Sequence, residues 1–141
     1  PIYVMAGGWS TFANSAWHAT NDMERVRYFA NYASELHRAI YEDKVDVRGY
    51  FAWSLMDGYE WEQGYLERFG TTLVDFDTQT RQRKESSCWL ETVWRGNNVI
   101  DPNAASFEGC ATPSSFHASY RDPKHPGCTR VVVLNEDGMS G

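Results

Sequence analysis

Four side chains in and just after the stretch "WSLMDGYEW" could do chemistry on one kind of ligand. Trp53 offers an indole, Glu60 a carboxylate, Trp61 a second indole, and Phe69 stands a little further on. A sugar ring has apolar C–H faces and a fringe of hydroxyls. Indoles stack on the faces, and a carboxylate accepts charge-assisted hydrogen bonds from two of the hydroxyls. Trp53 at a strand end, with Glu60 and Trp61 on the next loop, could surround one pyranose ring. Aromatics that merely close the rim of a core would use the same residue types, so the residues alone leave both readings open.

The elements that must carry these residues are legible as a pattern. "VRGYFAWSL" is nearly all apolar, as expected of a strand covered on both faces, and it delivers Trp53 near its end. An earlier β-prone run, Ile2 to Met5, leads into a loop from Gly7 to Thr20. "NDMERV" then opens a helix with Asn21 or Asp22 placed to cap it. Val26, Phe29, Ala33, Leu36 and Ile40 recur at steps of three and four, which makes one apolar stripe. Strand, helix, strand in that order predicts a βαβ unit with a parallel pair. "TTLVDFDTQTR" predicts a hairpin turning around Asp77 to Thr80, and "RKESSCWLETVWRG" a second helix stopped by Gly96 and the two Asn after it. From Asp101 the prolines at 102, 113, 123 and 126 interrupt regular structure, and only "TRVVVLN" reads as a strand. The fold class is α/β, with residues 1–99 as the structured portion and 100–141 as an irregular extension.

Composition removes several function classes. Among 141 residues, 13 basic and 19 acidic side chains leave a net charge of −6, and no basic stripe exists to displace counterions from a nucleic acid. No apolar run reaches the length of a membrane span. His18, His37, His117 and His125 are scattered, so neither a metal site nor a cofactor is expected. Of the three cysteines, Cys88 falls in a helix pattern and reads as a small buried apolar residue. Cys110 and Cys128 could close a disulfide in the extension, stabilising it by roughly 3 kcal/mol. Such a bridge would imply a secreted or extracellular protein; two unpaired thiols are the other reading.

Two βα units neither close a barrel nor cover both faces of a parallel sheet, whereas a (β/α)8 barrel needs eight. The chain is therefore expected to be the C-terminal part of something larger, with exposed strand edges if it stood alone. In such a barrel the site lies at the C-terminal strand ends, which places Ala6 to Trp9 and Trp53 to Trp61 on one rim.

The runs "DVRGYFAWSLMDGYEWEQGYLERFG" and "VDFDTQTRQRKESS" resemble the C-terminal end of family 1 glycoside hydrolases, the β-glucosidase, lactase and myrosinase group. "PIYVMAGG" and the helix after it are similar to that family's seventh strand and helix. The resemblance implies strands 7 and 8 of a (β/α)8 barrel. It implies Trp53 as the indole platform under the sugar and Glu60 as the carboxylate at its outer hydroxyls. Trp61 would be the indole beside Glu60, and Phe69 the aromatic that closes the pocket. It implies a β-glycoside or simple sugar as ligand and the rest of the barrel as structural partner.

One departure bears on activity. Where the family carries Thr-Glu-Asn-Gly, with Glu as catalytic nucleophile, this chain has Met5-Ala6-Gly7-Gly8. Retaining hydrolysis needs two carboxyls about 5–5.5 Å apart, one to attack and one to protonate the leaving oxygen. A methyl group at position 6 removes the first, a loss on the order of 10⁴-fold or more. Asp57 or Glu60 could substitute as nucleophile, but Glu60 is already expected at the outer hydroxyls. The expectation is an impaired glycosidase. The alternative is a non-catalytic sugar- or protein-binding pseudoglycosidase resembling the klotho group.

Overall fold

Two parallel strands and the helix between them organise the chain. The computed structural model describes residues 1–13 and 15–103. Strand β1 (Ile2–Gly8) is followed by a short helix α1 (Ala16–Thr20), a long helix α2 (Met23–Tyr41) and strand β2 (Val47–Trp53). β1 pairs with β2 in parallel, so the expected βαβ unit is present. Val4 pairs with Tyr50, Gly7 with Ala52 and Gly8 with Trp53. Between Val4 and Gly7 the register slips, leaving Met5 and Ala6 opposite Phe51: a bulge at the C-terminal end of the strand. β1 thus runs on through Gly8, past the end expected at Met5. Glycine is required at position 7, because the ring of Tyr50 occupies the space a Cβ there would take. The loop after β1 also holds α1, whose single turn is too short to give an apolar stripe; Ser15 caps it through the His18 amide.

The core lies on one side of the strand pair. Val26, Phe29 and Ala30 of α2 meet Tyr50 of β2 and Trp89 and Leu90 of helix α3 (Glu85–Gly96). Each large side chain buried here contributes about 1.5–3 kcal/mol over exposure. Ile2, Tyr3, Met5 and Trp53 are all about half exposed or more. The pair is therefore covered on one face, not on both as the apolar run in β2 suggests.

Between β2 and α3 stands an antiparallel hairpin, β3 (Thr72–Val74) and β4 (Arg81–Arg83), with Leu73 opposite Gln82. Its turn begins at Asp75, two residues before the expected start. The Asp75 carboxylate accepts the Asp77 and Thr78 amides at 3.0 and 3.1 Å, and the Thr78 bonds hold it below the usual carboxylate range. Gly96 is the last residue of α3 rather than its stop. Asn97 takes the left-handed conformation, φ 48°, and donates its amide to the Val93 carbonyl.

Two further expectations are corrected. Asp22 is the N-cap of α2, yet its carboxylate makes no cap bond to that helix. It accepts instead from the Ser86 amide and hydroxyl, at 2.8 and 2.6 Å, and so caps the first turn of α3. Cys88 is buried, but as a disulfide-bonded residue rather than a lone thiol. Cys110 and Cys128, the bridge expected between them and the "TRVVVLN" strand lie outside the described residues. No described helix is long and apolar enough to cross a membrane.

Candidate functional site

Both strand ends and the loops after them lie side by side, since Gly8 at the end of β1 pairs with Trp53 at the end of β2. Trp53 is half exposed. The next peptide bond, Trp53–Ser54, is cis. The Ser54 amide donates to the Phe69 carbonyl at 3.0 Å, and the Thr71 amide donates to the Ser54 carbonyl at 2.8 Å. These bonds bring the backbone at Phe69 back against the end of β2, next to Trp53 in the chain.

Glu60 and Trp61 stand on a separate turn of the same loop. The Glu60 amide donates to the Gly64 carbonyl at 2.6 Å, and the Gln63 amide to the Glu60 carbonyl at 2.9 Å, around the 3-10 turn Trp61–Gln63. Gly64 has φ +60°, which suits a residue without a Cβ. Trp61 is 78% exposed. The turn leans on an aromatic chain: Tyr59 packs edge-on to Tyr65 at 5.7 Å, Tyr65 lies 4.5 Å from Phe76, and the Arg68 guanidinium sits 5.2 Å over Phe76. Among the described residues no hydrogen bond or ion pair engages the Glu60 carboxylate, so its oxygens can accept from a ligand.

Ala6 lies in the bulge and is exposed. Asp57 is not available as a nucleophile. Its side chain is wholly buried and ion-paired to Lys84 at 2.8 Å and Arg68 at 2.9 Å. It also accepts the amides of Gly70 at 3.0 Å and Val74 at 3.4 Å. A carboxylate holding four donors has no lone pair to spare for attack. Gly70 is needed here because a Cβ would meet the backbone of Met56 and Asp57. Burial draws the Lys84 ammonium down to about 8, with the nearby Arg25 charge adding to the fall and Asp57 opposing it.

The residue that sequence reasoning missed is Arg25. It is fully buried beneath the rim, ion-paired to Asp22 at 2.5 Å, and it reaches the loops after both strands. Burial pushes the Asp22 carboxyl up, against the pull of Arg25, Ser86 and Lys84. The available signal was position: Arg25 precedes Val26 and lies one turn before Phe29, on the stripe that faces inward. Among the described residues no three His, Cys, Asp or Glu side chains converge as metal ligands.

Comparison with known proteins gives the family. The glycosyl hydrolase family 1 model matches residues 1–99. β-Glucosidase 1B of Phanerodontia chrysosporium is 42% identical over 118 residues, 81% of this chain and 22% of that protein. A rice β-glucosidase structure superposes with a TM-score of 0.59 at 42% identity, covering 61% of this chain and 19% of its own. A Thermotoga maritima β-glucosidase in complex with castanospermine gives a TM-score of 0.64 at 34% identity, covering 70% and 22%. The chain thus spans about a fifth of the length of these relatives, and its βα units match part of their α/β barrels. With the family's residues matched from the first strand to the end of α3, the chain belongs to glycosyl hydrolase family 1.

Proposed function

We propose that this chain supplies strands seven and eight of a (β/α)8 barrel and one wall of a β-glycoside site that has lost its nucleophile. Residues 1–99 are the barrel portion and 100–141 an extension to it. The structural partner is the other six βα units, and the ligand is a β-glycoside or simple sugar. Trp53 stacks under the ring, Glu60 accepts its outer hydroxyls, Trp61 lies beside Glu60, and Phe69 closes the pocket. The relatives' names, and the inhibitor bound to one of them, support a sugar ligand.

The observation that carries the reading is the methyl group of Ala6 at the bulged end of β1, with the nearby Asp57 fully engaged elsewhere. In retaining hydrolysis a carboxylate oxygen attacks the anomeric carbon and forms a glycosyl ester while the leaving oxygen takes a proton. A methyl carbon has no lone pair, so the ester cannot form. The contacts of Trp53, Glu60 and Trp61 act on the ground state and survive that loss. The protein is a sugar binder with its covalent route removed.

The test grafts residues 1–99 in place of the matching segment of the Phanerodontia β-glucosidase, which supplies the other six units. The chimera should bind methyl β-D-glucoside yet cleave an aryl β-glucoside on the order of 10⁴-fold more slowly than the parent. Azide should restore part of the cleavage through the space beside Ala6, with inverted product. Turnover at the parent's rate would overturn the reading, as would a 2-fluoroglycoside adduct on this segment. Sugar binding that ignores Glu60→Ala would favour the klotho-like alternative, a non-catalytic sugar- or protein-binding pseudoglycosidase that does not use this wall.

A further inference from the structure

We propose that Arg25, on helix α2 outside the pocket, is the positioning residue that sets the Phe69 wall against the end of β1. This rests on the pocket reading above and adds a residue that the reading does not contain. A guanidinium has five N–H donors in a rigid planar fork. In Arg25 the five meet five acceptors. Nε donates to the Trp9 carbonyl at 2.9 Å. One terminal nitrogen donates to Asp22 Oδ2 at 2.5 Å and to the Gly70 carbonyl at 2.8 Å. The other donates to Thr11 Oγ1 at 2.9 Å and to the Arg68 carbonyl at 2.5 Å.

These acceptors are not scattered. Trp9 and Thr11 lie just past the strand that carries Ala6. Arg68 and Gly70 flank Phe69 on either side. The two segments also bond directly, through the Thr11 amide to the Arg68 carbonyl at 3.0 Å and the Arg68 amide to the Thr11 carbonyl at 3.3 Å. Phe69 is held from its other side by the Ser54 amide, at the end of β2. Among the described residues the two loops share this one backbone bridge, and without a further tie they would slide past each other. The buried guanidinium removes that freedom, because any displacement of either loop breaks a charge-assisted bond where water cannot replace it. Asp22 neutralises the charge and is itself locked to α3 through Ser86. The position of the outer helices is thereby transmitted to the pocket wall.

Lysine keeps the charge but places three donors on one atom, so it cannot span the three segments. The test is amide hydrogen exchange on the chimera, which supplies the other six βα units, and on its Arg25→Lys variant, with methyl β-D-glucoside titration alongside. Exchange at the Thr11, Arg68 and Ser54 amides should accelerate by about tenfold or more, while the Phe29 and Ala30 amides inside α2 hold their rates. Sugar affinity should fall by about tenfold in the same variant. Uniform acceleration, or none at the rim, would overturn the proposal. If Arg25→Lys loses all protection, Thr11→Val decides: faster exchange confined to the rim amides supports the clamp, and a uniform or absent change sinks it. If the chimera with Arg25 intact binds no sugar, the pocket reading fails by itself, and the exchange rates still judge the clamp.

Discussion

The charged groups on the rim and those beneath it are the same residue types in opposite conditions. On the rim, Glu60 has no partner among the described residues and stands beside Trp61, which is 78% exposed. Beneath it, Asp22 with Arg25, and Asp57 with Lys84 and Arg68, form a closely bonded set with side chains almost wholly out of water. Arg68 is the member that keeps some exposure, 22% of its side chain. The contrast teaches what each carboxylate can do. A buried carboxylate survives only by filling its acceptor sites, and once filled it holds loops rather than attacks carbon. An open carboxylate contributes little to stability and is free for a ligand. Position 6 is where a third, reactive carboxylate would be expected, and a methyl group stands there.

The largest effect should come from returning that group. In the chimera, Ala6→Glu should raise aryl β-glucoside cleavage on the order of 10⁴-fold, measured as kcat/KM; a rise of less than about tenfold would mean that more than the nucleophile has been lost. Removing a member of the buried set comes next. Asp57→Ala leaves Lys84 and Arg68 without their shared carboxylate and should cost about 3–5 kcal/mol in denaturant unfolding. A cost near zero would show that the set is no closer to obligatory than a surface pair. Glu60→Ala should instead leave the unfolding midpoint unchanged and weaken methyl β-D-glucoside binding by about tenfold to a hundredfold, the worth of a charge-assisted hydrogen bond or two. Loss of stability there would erase the distinction between rim and underside.

The smallest effect concerns Glu91, a half-buried acid that bridges Arg83 at 2.5 Å and Arg95 at 2.6 Å. Partial burial pushes its carboxyl up, but the bonds from Arg95 and Arg83 outweigh that and hold it below its ordinary value. Its stabilising effect is therefore present above the unfolded value of about 4.3 and fades as pH falls through the lower folded value. Glu91→Gln should remove no more than about 1 kcal/mol at neutral pH, and the difference from the parent should vanish in acid. A difference that grows on acidification would have the wrong sign for this bridge.

The βαβ unit and the hairpin are legible in the chain because periodicity reports them. The stripe through Val26, Phe29 and Leu36 requires a helix, and the unbroken apolar run of β2 requires a strand. Trp53, Glu60, Trp61 and Phe69 are legible as candidates because their types match the chemistry of a sugar. The bulge at Met5 and Ala6 is not legible, since register depends on the partner strand. Nor is the role of Asp57, which reads as one more acid in an acidic loop until Lys84, 27 residues away, is folded against it. Asp22 reads as a local cap, and its local backbone does follow that rule, but its carboxylate serves a helix 64 residues further on.

Taken alone, the order of residues determined the βαβ unit, the hairpin and the last helix, the family and the absence of a carboxylate at position 6, because each of these depends on residue type and local spacing. Tertiary structure decided which charges are buried, that Asp57 is spent on Lys84 and Arg68, and that Arg25 ties the two loops of the rim. The physical reason is that solvation belongs to a place in the fold and not to a residue. Whether a carboxylate or guanidinium can react, bind or only brace depends on which distant backbone carbonyls, amides and charges arrive beside it.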